Sequence, residues 1–263
     1  MFDQRADGPM EQFEILPIVD LHFGSIDISL TNSALWMIIG TAAITIFFFA
    51  ATRRAAMIPG RIQSMAEVFY EFTFDLVRDT IGPDGRKFFP YVFTLFIFIL
   101  IMNLFGLLPS WPGLAHELHT FTPTSHVIVT LALAMLTITI VIVYGFMKNG
   151  LKFLKLFWPS GLPLWLMPLL CLIEVISFLS RPLSLAIRLF ANMFAGHVIL
   201  KLFAGFVVSL IGTGSAVMLF GIAPFLGAIA VTALEFLVAA LQAYVFAVLT
   251  CIYLSDAAHA ADH

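Results

Sequence analysis

Two uninterrupted apolar runs near the end of the chain constrain its fold more than any other feature. They extend from Trp165 to Val208 and from Ala216 to Leu254, with few charges and no loop-like polar cluster inside. A continuous helix of about 40 residues is roughly 60 Å long, twice the ~30 Å thickness of a bilayer's hydrocarbon core. Each run must therefore tilt steeply, bend or fold back. Pro182 and Pro224 favour bends, but neither has a polar turn around it, so we expect two long, steeply tilted, near-horizontal helices.

Three earlier apolar runs have the ordinary length of a membrane-crossing helix, about 20 residues. They are Ala34 to Ala51, Phe88 to Leu108 and Val127 to Met147. Because 61% of the residues are hydrophobic and 11% are charged, the chain is not an ordinary soluble domain. The sequence predicts an all-α polytopic membrane protein with about five membrane-crossing helices in a single membrane domain, 1–263. Its predicted parts are an external N-terminal segment (1–33), a first span (34–51), a surface helix (59–81), a membrane hairpin (88–147) and two long tilted helices (163–208 and 216–254).

The segment from Pro59 to Gly85 is too polar to cross the membrane. Its apolar residues recur at helical spacing, and its acidic residues repeat every four positions on another face. This pattern is typical of an amphipathic helix along the membrane surface, with its acidic face turned to water or to a partner. A charge stripe of this kind is more often simply solvated. The apolar residues are Ile62, Met65, Phe69, Phe72 and Leu76, and the acidic residues are Glu67, Glu71, Asp75 and Asp79.

The basic residues predict the orientation of the chain. Nine of the thirteen lysines and arginines lie between the first and second spans or just after the third. The positive-inside rule places that side in the cytoplasm or matrix. The N-terminus and the loop from Ser110 to His126 then face outwards, and five crossings return the C-terminus to the inside. The nine residues are Arg53, Arg54, Arg61, Arg78, Arg86, Lys87, Lys148, Lys152 and Lys155.

A polar stripe follows one face of the first long helix. Its members are spaced by three or four residues, and the face that they share cannot look at lipid. At roughly 100° per residue, His197 points about half a turn away from Arg188. In the second long helix Glu235 and Gln242 share a face, and Glu235 is the only charged residue between Ala216 and Leu254. The stripe consists of Glu174, Ser177, Arg181, Ser184, Arg188 and Asn192.

Each of these polar residues also has a purely structural interpretation. Arg181 can snorkel, or it can bond to carbonyls that Pro182 frees. Arg188 can form an ion pair with Glu174 or Glu235. However, about 21 Å of helix separates Arg188 from Glu174, which points to a carboxylate elsewhere. The other structural interpretations are a hydrogen-bonded core histidine for His197, a protonated acid for Glu235 and interhelical amide bonds for Asn103 and Gln242.

Motifs of other chemistries are absent from the sequence. There is no GxxxxGK[ST] loop, HExxH, GxSxG or CxxC pair, so nucleotide hydrolysis, metalloprotease and esterase functions have no support. The HELH stretch from His116 to His119 is a weak metal hint, because two further ligands at metal-site spacing are missing. Cys171 and Cys251 lie in apolar runs and indicate small buried hydrophobes. We expect no metal, no cofactor and no nucleic-acid partner.

Two motifs resemble those of a known family. The stretch SRPLSLAIRLFANMFAGH, residues 180–197, is followed by an isolated glutamate and then by LQAYVFAVLTCIYLSDA. This combination closely resembles subunit a of the F-type ATP synthase in its alphaproteobacterial and mitochondrial form. The likeness extends to EQFEILP and GRKFFPYVFTLFIFILIMNLFGLLP and covers nearly the whole chain. It implies a proton-translocating stator subunit beside a rotating c-ring, not catalytic alone, in a bacterial inner membrane or, alternatively, a mitochondrial one.

The resemblance also implies roles for single residues. Arg188 occupies the position of the essential arginine that faces the c-ring carboxylate, and both long helices would face that ring. Two aqueous half-channels for protons are associated with the positions of Glu174, Asn192, His197, Glu235 and Gln242. The implied partners are c-ring proteolipid subunits, b-type peripheral-stalk subunits, the remainder of the ATP synthase and the lipid bilayer.

An alternative is a secondary transporter that uses Arg188 to bind an anionic substrate. Transporters of that kind usually show a repeated half and paired broken helices, and this sequence shows neither. A purely structural scaffold is a third class, but it would not need an ionisable stripe on a helix that faces a partner.

Overall fold

The computed structural model describes residues 17–19, 22–23, 26–27, 29–53, 55–107, 123–157, 167–212 and 221–259. Five helices within these ranges are long and apolar enough to cross a membrane, which confirms the predicted all-α polytopic architecture. The predicted HELH stretch, most of the external loop, and residues 163–166 and 216–220 of the two long runs lie outside these ranges. The helices are α1 (Asn32–Thr52), α2 (Arg61–Ile81), α3 (Phe89–Gly106), α4 (Val127–Asn149), α5 (Met167–Gly212) and α6 (Ile222–Ala258).

Short elements accompany the helices. Four strands precede α1 and form two small antiparallel pairs. Strands of two or three residues are too short to show an alternating pattern, so the sequence did not predict these four strands. Strand β1 (Pro17–Val19) pairs with β4 (Leu30–Thr31), strand β2 (His22–Phe23) pairs with β3 (Ile26–Asp27), and 3₁₀ turns occupy Pro83–Lys87, Pro123–Ser125 and Gly150–Phe157.

Helices α5 and α6 are each continuous, as predicted for two long helices. With 46 and 37 residues they are about 69 and 56 Å long at ~1.5 Å per residue, well beyond the thickness of a bilayer core. Pro182 lies inside α5 without ending it. Pro224, which the sequence suggested as a bend, lies in the first turn of α6. A proline is tolerated there because the backbone N–H groups of a first turn have no intrahelical acceptor, so Pro224 begins the helix rather than bending it.

The core lies where α3, α4 and the second half of α6 meet, and α5 packs across α4 and α6. Helix α1 lies at the edge against α2 and α3, where the Trp36 and Phe105 rings make an edge contact with centroids 6.1 Å apart. Most of α1 is open to its surroundings. Fully buried core side chains include Val92, Ile99, Val141, Leu189, Phe246 and Leu254.

Helix α2 is amphipathic, but its apolar face is divided. One edge is buried against the protein at Ala66, Val77 and Ile81. The other edge, which includes Ile62 and Met65, is more than half exposed. An apolar face shared between the protein and its surroundings suits a helix on a membrane surface. The predicted acidic residues Glu67, Glu71, Asp75 and Asp79 are all exposed.

One end of the bundle is joined by polar contacts between three segments. Lys148 Nζ donates to Asp84 Oδ2 at 2.6 Å, and Asn149 Nδ2 donates to Ala257 O at 2.7 Å. The hydrogen bond and positive charge of Lys148 hold the pKa of the Asp84 carboxyl below its usual value. The loop before α3 and the ends of α4 and α6 therefore meet at one end, as alternating crossings require. We name it the inner end after its predicted orientation.

The opposite end, the outer end, is joined through Asn103. Thr124 Oγ1 donates to Asn103 Oδ1 at 2.8 Å, and Asn103 Nδ2 donates to Ala239 O at 3.3 Å. The side chains of Asn103 and Thr124 are fully buried, so both polar groups need these partners. Helix α6 thus reaches the outer end of α3 at Ala239 and the inner end at Ala257, and its first turns extend beyond α3. These contacts place Ala239 toward the outer end and Ala257 toward the inner end.

Candidate functional site

The predicted stripe lies along the surface of α5. Glu174 and Arg181 are half-buried, whereas Arg188 and Asn192 are exposed. Within the described residues, no carboxylate lies within ion-pair distance of the Arg188 guanidinium. The two structural ion pairs considered for Arg188 therefore do not form. The apolar neighbours Leu183 and Ile187 are each about half exposed, so Arg188 projects from a largely apolar surface.

Arg181 has partners on two helices. Its guanidinium lies 3.7 Å from Glu174 Oε1 on the same helix and 3.3 Å from Asp256 Oδ2 on α6. It also stacks over the Tyr253 ring at 5.5 Å from the centroid. We call Glu174, Arg181 and Asp256 the inner triad. The structure thus replaces both interpretations of Arg181, snorkelling and binding of freed carbonyls, with a charge cluster between two helices.

The inner triad includes a residue that the sequence analysis missed. Asp256 follows the last apolar residue of its run, Leu254, so the apolar pattern gave no reason to single it out. The only signal was its place inside the motif that carries the family resemblance. Its pairing with Arg181 depends on the register between two helices, which the spacing within one helix does not specify.

Helices α5 and α6 run antiparallel, and their register brings the predicted residues together. Asn192 Nδ2 donates to Gln242 Oε1 at 3.1 Å. Gln242 is fully buried, and its Nε2 has no hydrogen-bond partner among the described residues. From the inner to the outer end, the facing pairs are Arg181 with Asp256, Asn192 with Gln242, Gly196 with Glu235, and Phe203 with Gly227.

Glu235 occupies a notch in the surface of α5. Its carboxylate lies against Gly196, at a spot that a β-carbon on residue 196 would fill. Both carboxyl oxygens are buried and have no hydrogen-bond partner within the described residues. His197, which is half-buried, follows Gly196 directly. A buried carboxylate without a donor is costly, and such groups concentrate at functional positions.

The depth of these groups follows from the contacts at the two ends. Ala239 is bonded to Asn103 at the outer end, and Glu235 lies one turn before it. Asp256 directly precedes Ala257, which is bonded at the inner end. Arg188 is seven residues from Arg181 and eight from Gly196, about 11 Å of helix on either side. An exposed arginine therefore lies midway between an inner and an outer group of polar side chains.

The arrangement can attract an anion from another chain and exchange protons on either side of Arg188. Within the described ranges no group of three or more His, Cys, Asp or Glu side chains could hold a metal ion.

The family model described as ATP synthase A chain matches residues 34–255. The chain belongs to the ATP synthase A chain family. It is similar to proteins named ATP synthase subunit a from Maricaulis maris, Mesorhizobium japonicum and Hyphomonas neptunium. The identities are 53%, 54% and 54%, over 96%, 95% and 98% of this chain and 97%, 96% and 98% of theirs.

Membership in the ATP synthase A chain family confirms the predicted resemblance to an F-type, alphaproteobacterial subunit a. The chain is the proton-conducting stator subunit of the membrane sector and is not catalytic by itself. It lies in the bacterial inner membrane, in line with its five candidate spans. The alternative of a secondary transporter that binds an anion at Arg188 has no support from these relatives.

Proposed function

We propose that α5 and α6 border two proton half-channels and that Arg188 separates them while it couples proton flow to rotation of a c-ring. The observation that carries this proposal is the position of Arg188. It is exposed on an apolar face, lies midway between two polar groups, and has no carboxylate partner within the described residues. A charge at such a place in a membrane protein is costly unless an anion compensates it. A carboxylate carried by a neighbouring chain meets that need.

The c-ring carboxylate moves past the α5–α6 surface as the ring turns. It can face lipid when it is protonated and neutral, but the charged form would cost about 3 kcal/mol or more. It must therefore take up a proton before it leaves the interface. Arg188 attracts the carboxylate and favours loss of its proton. Because a guanidinium stays protonated, Arg188 cannot pass a proton on, so it blocks a direct route between the half-channels.

We assign the outer half-channel to Glu235, whose carboxylate lies against Gly196, and to His197, the next residue on α5. The hydrogen-bonded amides of Asn192 and Gln242 lie between this pair and Arg188, and they are suited to hold protonated groups or water in line. Glu235 and His197 are titratable, as the end of a proton route must be.

The inner half-channel is assigned to Glu174. Its carboxylate is part-exposed, with 38% of the side chain accessible, and lies toward the inner end beside Arg181. A part-exposed carboxylate can exchange protons with water. The predicted orientation then places proton release during ATP synthesis on the cytoplasmic side.

The partners follow from the exposed surfaces. The stripe on α5 would face the c-ring proteolipids, and the open side of α1 and the acidic face of α2 are left for b-type peripheral-stalk subunits and lipid. We propose an external N-terminus and an internal C-terminus, with the chain forming a single membrane domain, 1–263, divided as the sequence predicts. Cysteines placed at Ser110 and Asn149 should be labelled from opposite sides of the membrane. Labelling of both from one side would contradict this orientation.

Arg188→Ala tests the proposal directly. The intact synthase with this substitution should assemble but lose ATP-driven proton pumping, measured by fluorescence quenching in vesicles. At about 4 Å and an effective dielectric near 20, the lost charge pair is worth roughly 4 kcal/mol before desolvation, so the loss should exceed about 100-fold. Arg78→Ala is the control, because Arg78 is an exposed arginine whose ion pairs lie on α2. Substantial pumping by the Arg188→Ala complex would show that the arginine is structural.

A further inference from the structure

The inner triad compensates one arginine of the stripe and leaves the other uncompensated. Two carboxylates lie within 4 Å of the Arg181 guanidinium, and the Tyr253 ring covers its face. Two of these three contacts come from α6, so the guanidinium is turned toward that helix, and 29% of the side chain is exposed. Arg188 lies on the same face of α5, about 11 Å farther along, without a carboxylate partner in the described chain.

We propose that the inner triad prevents Arg181 from competing with Arg188 for the passing c-ring carboxylate. This inference rests on the proposed function. Two free guanidinium groups on one face would both attract a carboxylate, because opposite charges in a partly dehydrated interface interact over several ångströms. A carboxylate held at Arg181 would be displaced from the position that connects the half-channels. Of the two arginines on this face, the triad compensates Arg181 and leaves Arg188 uncompensated, and it thereby selects where the carboxylate docks.

The charges of the triad support this role. Two carboxylates and one guanidinium give the triad a net charge of minus one, so the triad repels a carboxylate while Arg188 attracts it. Asp256→Asn leaves Arg181 with the Tyr253 ring and the longer 3.7 Å contact to Glu174, and leaves the triad with a net charge of zero. Arg181→Gln leaves two carboxylates side by side and a net charge of minus two. The double variant returns the net charge to minus one and removes the competing arginine.

A double-mutant cycle on the intact synthase tests this proposal. ATP-driven proton pumping is measured in vesicles per assembled complex. Asp256→Asn and Arg181→Gln should each lower the rate by about two- to fivefold, the effect of a part-exposed charge pair. The double variant should recover toward the wild-type rate. Asp256→Glu, which keeps the charge, should retain that rate and supplies a second measurement if a neutral variant assembles poorly.

The opposite result separates this role from simpler ones. If Arg181 only clamped the two helices, or if Asp256 itself relayed protons, the double variant would be as slow as the slower single variant, and the proposal would be overturned. An unchanged rate in both single variants, or a loss in Asp256→Glu as large as in Asp256→Asn, would overturn it too.

Two further variants complete the test. Asp84→Asn breaks the other inner-end ion pair, the 2.6 Å contact with Lys148, away from the α5–α6 interface. It should not change the rate, and a loss equal to that of Asp256→Asn would count against the proposal. Arg188→Ala, measured in the same assay, distinguishes a failure of the proposed function from a failure of the proposed role of the triad. Pumping by Arg188→Ala would refute the proposed function, whereas an inactive Arg188→Ala with no recovery in the double variant would refute only the role of the triad.

Discussion

Charge is compensated at the inner end of the α5–α6 interface and left uncompensated farther along it. Arg181 has two carboxylates and an aromatic ring around it. Arg188 is exposed without a carboxylate partner, and the buried oxygens of Glu235 lack a hydrogen-bond partner, in both cases within the described residues. The same two helices provide both regions. We therefore expect Arg188, rather than Arg181, to act on another chain.

After Arg188→Ala, the largest expected effect comes from exchanging each arginine for lysine. Arg188→Lys should lower ATP synthesis by at least about tenfold, because lysine lacks the planar fork of arginine and its ammonium can lose a proton when it is desolvated. Arg181→Lys should change the rate by less than about twofold, because its part-exposed pairs need only a positive charge. Synthesis in energised vesicles, divided by the amount of assembled complex, measures both. Equal losses in the two variants would remove the distinction between the arginines.

Gly196 allows a test of the polar residues toward the outer end, because its missing side chain leaves room for the Glu235 carboxylate. Gly196→Ala should displace that carboxylate from its notch on α5 and slow pumping by about three- to tenfold, the cost of a misplaced proton-transfer group. It should also alter the pH dependence of pumping in the same way as Glu235→Gln, which removes the titrating group. Glu235→Asp, one methylene shorter, should partly restore pumping when it is combined with Gly196→Ala.

A matched glycine provides the control for this variant. Gly205 lies on the same helix, and a β-carbon added there would meet nothing within 4 Å. Gly205→Ala should therefore leave the rate and its pH dependence unchanged. If Gly196→Ala behaves like Gly205→Ala, or if Glu235→Gln leaves the pH dependence of pumping untouched, Glu235 is not in the proton route.

The sequence predicted the features that depend on one helix at a time. The apolar runs gave the five membrane helices, and residue spacing placed Glu174, Arg181 and Arg188 on one face of α5. The shared face of Glu235 and Gln242 was predicted in the same way. Such predictions succeed because hydrophobic length and helical periodicity are local properties.

The features that the sequence missed depend on how helices meet. The pairing of Arg181 with Asp256 and the notch at Gly196 follow from the antiparallel register of α5 and α6. That register is set by the packing of many side chains at once. The prediction of a bend at Pro224 was wrong because no polar residue in the apolar run marks where α6 begins. The sequence therefore did not show that Pro224 lies in the first turn of the helix. The divided apolar face of α2 likewise depends on which neighbours cover it.

The smallest expected effect on proton flow belongs to the acidic face of α2, which lies outside the α5–α6 interface. Glu67 and Glu71 are exposed, and Glu67 accepts a hydrogen bond from Gln63 at 2.8 Å within the same helix. Reversing both charges, Glu67→Lys with Glu71→Lys, should lower the yield of intact synthase by about twofold or less, because solvent-exposed charges contribute weakly to association. The neutral pair Glu67→Gln with Glu71→Gln is the size-matched control and should reduce the yield less. Pumping per assembled complex should stay at the wild-type level in both, because these acids are far from the uncompensated charges of the stripe. A charge-reversed variant that assembles fully but conducts poorly would extend the proton-conducting region beyond α5 and α6, and the comparison between paired and unpaired charges would then have to include the surface helix.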